Sequence, residues 1–209
     1  DALVLEVASP PYYVVGESRV AGAVEATYIV PDTCPQCTDV TILSQQLAGA
    51  GILVAKETTV TGNSAEGKAL QKKYSLDRIP SAVFTSDLGL YEVTAQAWPS
   101  IGTVESDGMY VLRVINPPYI NLTTGLTRGL ITFVGLTDAS CPSCYNVSLH
   151  AAIIKNNFGV VIAGTKMVDA GSDEGKSLVK KYNITLIPTT VLQGDPVAYD
   201  ALTAAWRQV

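Results

Sequence analysis

The sequence is a duplication, and the duplication is anchored on sulfur. The 209 residues contain four cysteines, all in two pairs, Cys34-Pro35-Gln36-Cys37 and Cys141-Pro142-Ser143-Cys144. The downstream segments repeat as well. Residues 64–80 align with 172–188 at an offset of 108 (188 − 80), and ten of the 17 positions are identical. Trp98 falls on Trp206 at the same offset, whereas the cysteines are 107 apart (141 − 34), so the second copy gained one residue in between. A period of about 105 residues is too long for a solenoid repeat and long enough for a domain with its own core. Two domains are expected, residues 1–106 and 107–209.

Composition supports two packed cores. Hydrophobic residues make up 47% and charged residues 16%, a balance unlike that of disordered chains. No apolar run reaches the ~18 residues of a membrane helix. The chain starts at Asp1 rather than Met, which raises the expectation of a removed upstream signal or anchor. The net charge of −5 argues against nucleic acid as a partner. Charge is split unevenly: residues 1–107 carry 6 basic and 13 acidic side chains, residues 108–209 carry 8 and 6. Three Asn-x-Ser/Thr sequons, at Asn121, Asn146 and Asn183, fit an extracytoplasmic protein, although about one would arise by chance.

Along the chain, residues 3–7 read as a short strand with a counterpart at 110–115. Each is followed by Pro-Pro-Tyr (Pro10-Pro11-Tyr12 and Pro117-Pro118-Tyr119), which marks a turn or an edge. β-Branched runs at 24–30 and 130–136 read as buried central strands. Helical spacing starts at each first cysteine, with Val40, Leu43 and Leu47 in one copy and Val147, Ala151 and Ile154 in the other. Strands at 52–56 and 160–166 follow. Asn63 with Glu66 predicts a capping pair for a helix that sets Leu70 and Tyr74 on one face, as Leu178 and Tyr182 are in the second copy. A strand begins after Ile79-Pro80 and after Ile187-Pro188, and a short helix closes each copy near Trp98 and Trp206. Residues 101–108 read as the hinge between copies. The order per domain is strand–helix–strand–helix–strand–strand–helix.

A CxxC at a helix start puts its first sulfur where unpaired N–H groups and the dipole favour the thiolate. The second cysteine then lies close enough to resolve a mixed disulfide. Cys34 and Cys141 are the expected attacking thiols, Cys37 and Cys144 the resolving ones. The sole histidine, His150, sits nearly opposite Cys144 in helical angle and reads as a surface or partly buried residue.

The order strand–CxxC–helix, with an Ile-Pro 43 to 44 residues after the second cysteine (80 − 37; 188 − 144), resembles the thioredoxin fold family. Two fused units, each with its own CPxC, look like the tandem protein disulfide oxidoreductases of thermophilic prokaryotes. The resemblance implies an α/β fold of two tandem thioredoxin-like domains, each a central mixed sheet flanked by helices. It implies that Pro80 and Pro188 are cis and, with Ile79 and Ile187, line the groove for a substrate backbone. The chain departs from the family at Thr33 and Ser140, where thioredoxins carry Trp, and at Tyr28 and Gly135, where they bury an acid.

The expected function is thiol–disulfide exchange at both CxxC sites on cysteines of exported proteins. It uses no cofactor beyond the protein's own thiols, no metal and no nucleic acid, and takes place in an extracytoplasmic setting. Two alternatives stay open. The CxxC pairs can be static disulfides in a binding or structural module, or stations of an electron relay to a membrane redox partner. A Cys₄ zinc site is disfavoured by the 103 residues between the pairs (141 − 37 − 1).

Overall fold

A computed structural model describes residues 2–6 and 9–208. The chain divides into two compact units, residues 1–126 and 127–209. Unit 1 contains β1 (Tyr12–Val14), β2 (Arg19–Ala21), β3 (Val24–Val30), α1 (Leu43–Gly49), β4 (Val54–Thr61), α2 (Ala65–Lys73), β5 (Arg78–Ile79), β6 (Ser81–Phe84), α3 (Glu92–Ala97), β7 (Gly102–Val104), β8 (Tyr110–Leu112) and β9 (Tyr119–Asn121). Unit 2 contains β10 (Thr127–Arg128), β11 (Ile131–Thr137), α4 (Leu149–Phe158), β12 (Ile162–Asp169), α5 (Asp173–Tyr182), β13 (Thr189–Gly194) and α6 (Asp200–Trp206).

The fold class is α/β, as expected. In unit 1 five strands run in the order β4–β3–β6–β8–β7; β3 and β4 are parallel and the other neighbours antiparallel. In unit 2 the order is β12–β11–β13, with β11 parallel to β12 and antiparallel to β13. Period-2 alternation decides which face each side chain covers. From β3, Val24, Ala26 and Tyr28 face the helices α1 and α3, and Ile29 faces α2. From β11, Ile131 and Phe133 join α4 and α6, while Val134 and Leu136 join α5. Helices therefore cover both faces of each sheet, which is why β3 and β11 carry so few polar residues.

The most strongly repeated stretch is structural. Ser64 and Ser172 cap α2 and α5, accepting hydrogen bonds from the N–H groups of Gly67 and Gly175 at 2.9 and 3.0 Å. Ser64, not the expected Asn63, is the cap. The two glycines are needed because a Cβ there would lie 2.1 Å from the carbonyl oxygen of Thr61 or Asp169. The sequons also have local structural uses. Asn121 and Asn146 accept backbone N–H bonds two residues on, and Asn183 ends α5 in the left-handed region at φ 51°.

The repeat boundary and the boundary of the compact units do not coincide. Residues 110–112 open the second copy in sequence, yet they pair with β6 and complete the first sheet. Residues 101–108 are accordingly no hinge: β7 and the turn at Gly108 form a hairpin with β8. The second of the two strands expected before the closing helix thus comes after α3 in unit 1, as β8, and in unit 2 no strand separates β13 from α6 among the described residues. The expected strand at 3–7 is not formed over residues 3–6, and Val7 lies outside the described residues. No helix among the described residues is long and apolar enough to cross a membrane.

Candidate functional site

Each CxxC is a closed disulfide, Cys34–Cys37 and Cys141–Cys144, with Cα atoms 5.3 and 5.4 Å apart. Each is wrapped in a tight turn, in which the N–H of the second cysteine donates to the carbonyl of the first at 3.0 and 3.1 Å. The helices start later than the spacing predicts, at Leu43 and Leu149. The reason is local. Asp39 accepts from the N–H and hydroxyl of Thr41, and Asn146 does the same for Ser148, so a turn stands between each CxxC and its helix. Val40 and Val147, which read as the first helical positions, are buried plugs in these turns. Stabilisation of a thiolate by the α1 or α4 terminus therefore does not operate here.

The buried acid of the resemblance is replaced differently in the two units. Tyr28 fills that position in unit 1, packed edge-on against Phe84 at 6.3 Å between ring centroids. Burial raises its phenol above the ordinary pKa, against a smaller lowering by Ser44, so it stays neutral and is no proton acceptor at physiological pH. In unit 2, Gly135 leaves room that Met167 takes, with its Sδ 2.6 Å from where a Cβ would stand. Asp32 and Asp138 are exposed. Asp32 accepts from the N–H of Asn63. Asp138 is held below the ordinary carboxylate range by the hydroxyl and N–H of Ser140.

The Ile-Pro peptides are cis in both units, Ile79–Pro80 and Ile187–Pro188. Their surroundings differ. In unit 1 the backbone before the proline is already paired: Arg78 opposes Asn121 and Ile79 opposes Ile120 in the β5–β9 ladder. The guanidinium of Arg78 lies over the ring of Tyr119 at 4.7 Å. The preceding residues reach the cysteine loop. Thr38 donates from its N–H to the carbonyl of Pro118 at 2.9 Å and from its hydroxyl to that of Asn116 at 2.6 Å. Pro80 and Cys34 are buried, Cys37 half-buried. Residues 116–121 thus occupy the groove that the resemblance assigns to substrate.

Unit 2 is open at the same place. Cys141, Cys144, Ile187 and Pro188 are all half-buried, and Leu186 is 80% exposed. A cavity of about 560 Å³ is lined by His150, Ile153, Phe158, Pro188, Thr190 and Trp206. His150 forms a hydrogen bond between its Nδ1 and the Oγ1 of Thr190 at 2.9 Å, and its ring lies 5.3 Å from that of Tyr145, the residue after Cys144. Sequence reading passed over this trio. The available signal was a comparison of copies: the residues in register with His150 and Thr190 in unit 1 are Leu43 and Ala82, both apolar.

No protein-family profile matches the chain, and no curated protein does either. Solved structures with some likeness include the alkylhydroperoxide reductase AhpF of Enterococcus faecalis, at 14% identity and a TM-score of 0.24, covering 88% of this chain and 90% of that one. Two forms of human ERp44 match at 12% identity with TM-scores of 0.21 and 0.19, covering 90% of this chain and about half of theirs. These likenesses are too distant to assign chemistry. The functional reading rests on the residues of the two sites.

Proposed function

We propose that this chain is a thiol–disulfide oxidoreductase whose working site is the Cys141–Cys144 pair, acting on cysteines of exported proteins outside the cytoplasm. The observation that carries the reading is a half-exposed CxxC disulfide in the same unit as an open cis-proline groove, in a chain with no cysteine outside its two CxxC pairs. The exported setting is the expectation raised by the three sequons at Asn121, Asn146 and Asn183.

In the reducing direction the Cys141 thiolate attacks one sulfur of a substrate disulfide. A mixed disulfide forms and one substrate thiolate leaves. The Cys144 thiolate then attacks the Cys141 sulfur, releases the second substrate thiolate and closes the Cys141–Cys144 bond. Two electrons pass from the pair to the substrate, and oxidation of a substrate dithiol is the reverse. The uncovered backbone at Leu186 and Ile187 supports an extended substrate segment laid beside Pro188. For Cys34–Cys37 the static-disulfide reading is favoured by one specific observation: β9 already pairs with Arg78 and Ile79.

Trapping tests this directly. With Cys144→Ser, a cysteine-containing peptide disulfide should accumulate as a mixed disulfide on Cys141, whereas Cys37→Ser should trap little or nothing on Cys34. No adduct on Cys141 would remove the proposal. Equal trapping at both sites would remove the assignment of a single working site.

A further inference from the structure

The two tryptophans that close α6 and follow α3 are 108 residues apart in equivalent positions, yet Trp98 is 4% exposed and Trp206 45%. The difference has a visible cause. Trp98 is covered by the β7–β8 hairpin: Tyr110 meets its ring edge-on at 5.3 Å, its indole N–H donates to the carbonyl of Thr103 at 3.0 Å, and Leu112 shares its core. In unit 2 no strand lies beyond β13 among the described residues. A cavity of about 440 Å³ opens there instead, between β13 and α6, lined by Tyr182, Val191, Leu192, Val197, Leu202 and Trp206.

The sequence that fills this slot in unit 1 is residues 110–121. At an offset of 107 its counterpart is residues 3–14. Leu3-Val4-Leu5-Glu6-Val7 lies over Tyr110-Val111-Leu112-Arg113-Val114, and Pro10-Pro11-Tyr12 over Pro117-Pro118-Tyr119. In this structure Leu3, Val4 and Leu5 lie between 83% and 104% exposed, three adjacent apolar side chains in water. β1, the counterpart of β9, pairs only with β2 among the described residues, so its other edge is free. An apolar arm and the open sheet edge that matches it are both present in one chain.

We propose that the arm of residues 3–14 docks on unit 2 of a second copy of this chain, adding a strand to the β13 edge. The unit 1 ladder fixes the register. There Val83 opposes Val111 and Phe84 opposes Tyr110, while Arg78 opposes Asn121 and Ile79 opposes Ile120. Carried over, Val191 opposes Val4 and Leu192 opposes Leu3 of the second copy, antiparallel. Leu186 and Ile187 oppose Val14 and Tyr13. Leu5 then covers Trp206 as Leu112 covers Trp98, and the exposed Leu186 gains a neighbour. Pro11 takes the place beside Tyr145 that Pro118 takes beside Thr38. Main-chain bonds along an edge supply affinity, and side chains in alternate pockets supply specificity. The contact joins two different surfaces, so it closes as a reciprocal two-fold exchange or a larger ring, or runs on as an open chain. The proposal rests on the repeat and the ladders alone. Because the docked arm lies along Leu186 and Ile187, as β9 lies along Arg78 and Ile79, assembly covers the proposed substrate groove and the redox reading applies to the dissociated chain.

The test is sedimentation equilibrium of the full chain over a hundredfold range of concentration, beside a Val4→Asp/Leu5→Asp variant. These positions lie outside both cores, and circular dichroism checks that the variant is folded. The wild type should show a mass that rises with concentration, and the variant should stay at monomer mass. A synthetic peptide of residues 2–14 added to the variant should shift the 19F signal of a fluorotryptophan at position 206 and leave that at 98 unmoved. A wild type that is monomeric throughout overturns the proposal, including the case where Trp206 is protected in the monomer because the arm folds back on its own chain. Assembly undiminished in the variant also overturns it.

Discussion

His150 and Thr190 are joined by a 2.9 Å hydrogen bond at the edge of the open cis-proline cavity, at positions where unit 1 places Leu43 and Ala82. The pair suits a double-mutant cycle. Thr190→Ala leaves the half-buried imidazole short of one partner and should cost about 1 kcal/mol. Combining it with His150→Leu reproduces the apolar pair of unit 1 and should recover part of that loss. A coupling of at least ~0.5 kcal/mol by chemical denaturation is expected for groups in contact. Strict additivity would argue that the bond contributes nothing.

Tyr91 and Tyr199 make the same two bonds in their units. Each hydroxyl donates to a glycine carbonyl, Gly22 at 2.6 Å and Gly129 at 2.9 Å, and accepts from the N–H of Leu53 or Val161 at 3.0 Å. Both tyrosines are buried. Tyr199→Phe leaves a buried N–H and a carbonyl unsatisfied and should cost about 1–3 kcal/mol. Hydrogen exchange at the Val161 amide should speed up by tenfold or more. Unchanged exchange there would contradict the assignment.

Gly175 sets two helix effects against each other. Alanine in a helix is normally favoured over glycine by ~1 kcal/mol. Here the added methyl carbon would stand 2.1 Å from the Asp169 carbonyl oxygen and 2.6 Å from the Cα of Ala170, both backbone atoms. Overpacking of this kind costs roughly 1–3 kcal/mol, so Gly175→Ala should be net destabilising. A raised melting temperature would show that the approach of α5 to β12 is looser than described.

Asp195 carries a pH signature. The side chain of Arg128 donates to both its carboxylate oxygens, and the N–H of Gly129 adds a third bond. The Arg128 bonds hold the carboxyl below its ordinary range, against an opposing effect of burial. The folded pKa is thus lower than the unfolded value of about 4. Its contribution is fully present above that value and is lost as pH falls through the folded one. Asp195→Asn should therefore weaken unit 2 at pH 7, and the gap to wild type should close on acidification below about pH 4. A gap equally wide at pH 7 and pH 2.5 would contradict this.

Much of the fold was legible because it is local. β3 and β11 were visible as apolar runs and α2 and α5 as i, i+4 faces, with the α2 cap at Ser64 instead of Asn63. The order of elements followed from these up to β6 and β13, but not the expected strand–strand–helix ending. What was not legible depends on partners distant in sequence. Nothing in residues 110–112 shows that they pair with β6 rather than beginning a new domain. The starts of α1 and α4 were misplaced because Val40 and Val147 satisfy helical spacing while sitting in turns. The four cysteines and two of the four cis prolines, Pro80 and Pro188, could be named in advance; the cis bonds at Pro11 and Pro118 were not. The covering of Pro80 by β9, and the placing of His150 beside Pro188, required strands and helices to be assembled first.

The most direct test of the central claim is a redox titration against glutathione, with each CxxC quantified separately by alkylation and mass spectrometry. Cys141–Cys144 should exchange within minutes and equilibrate above about −270 mV, inside the range of thioredoxin-like catalysts, while the covered Cys34–Cys37 pair lags behind it. A Cys141–Cys144 pair that stays oxidised below about −300 mV and exchanges only over hours would be a structural disulfide, and the oxidoreductase account would be wrong.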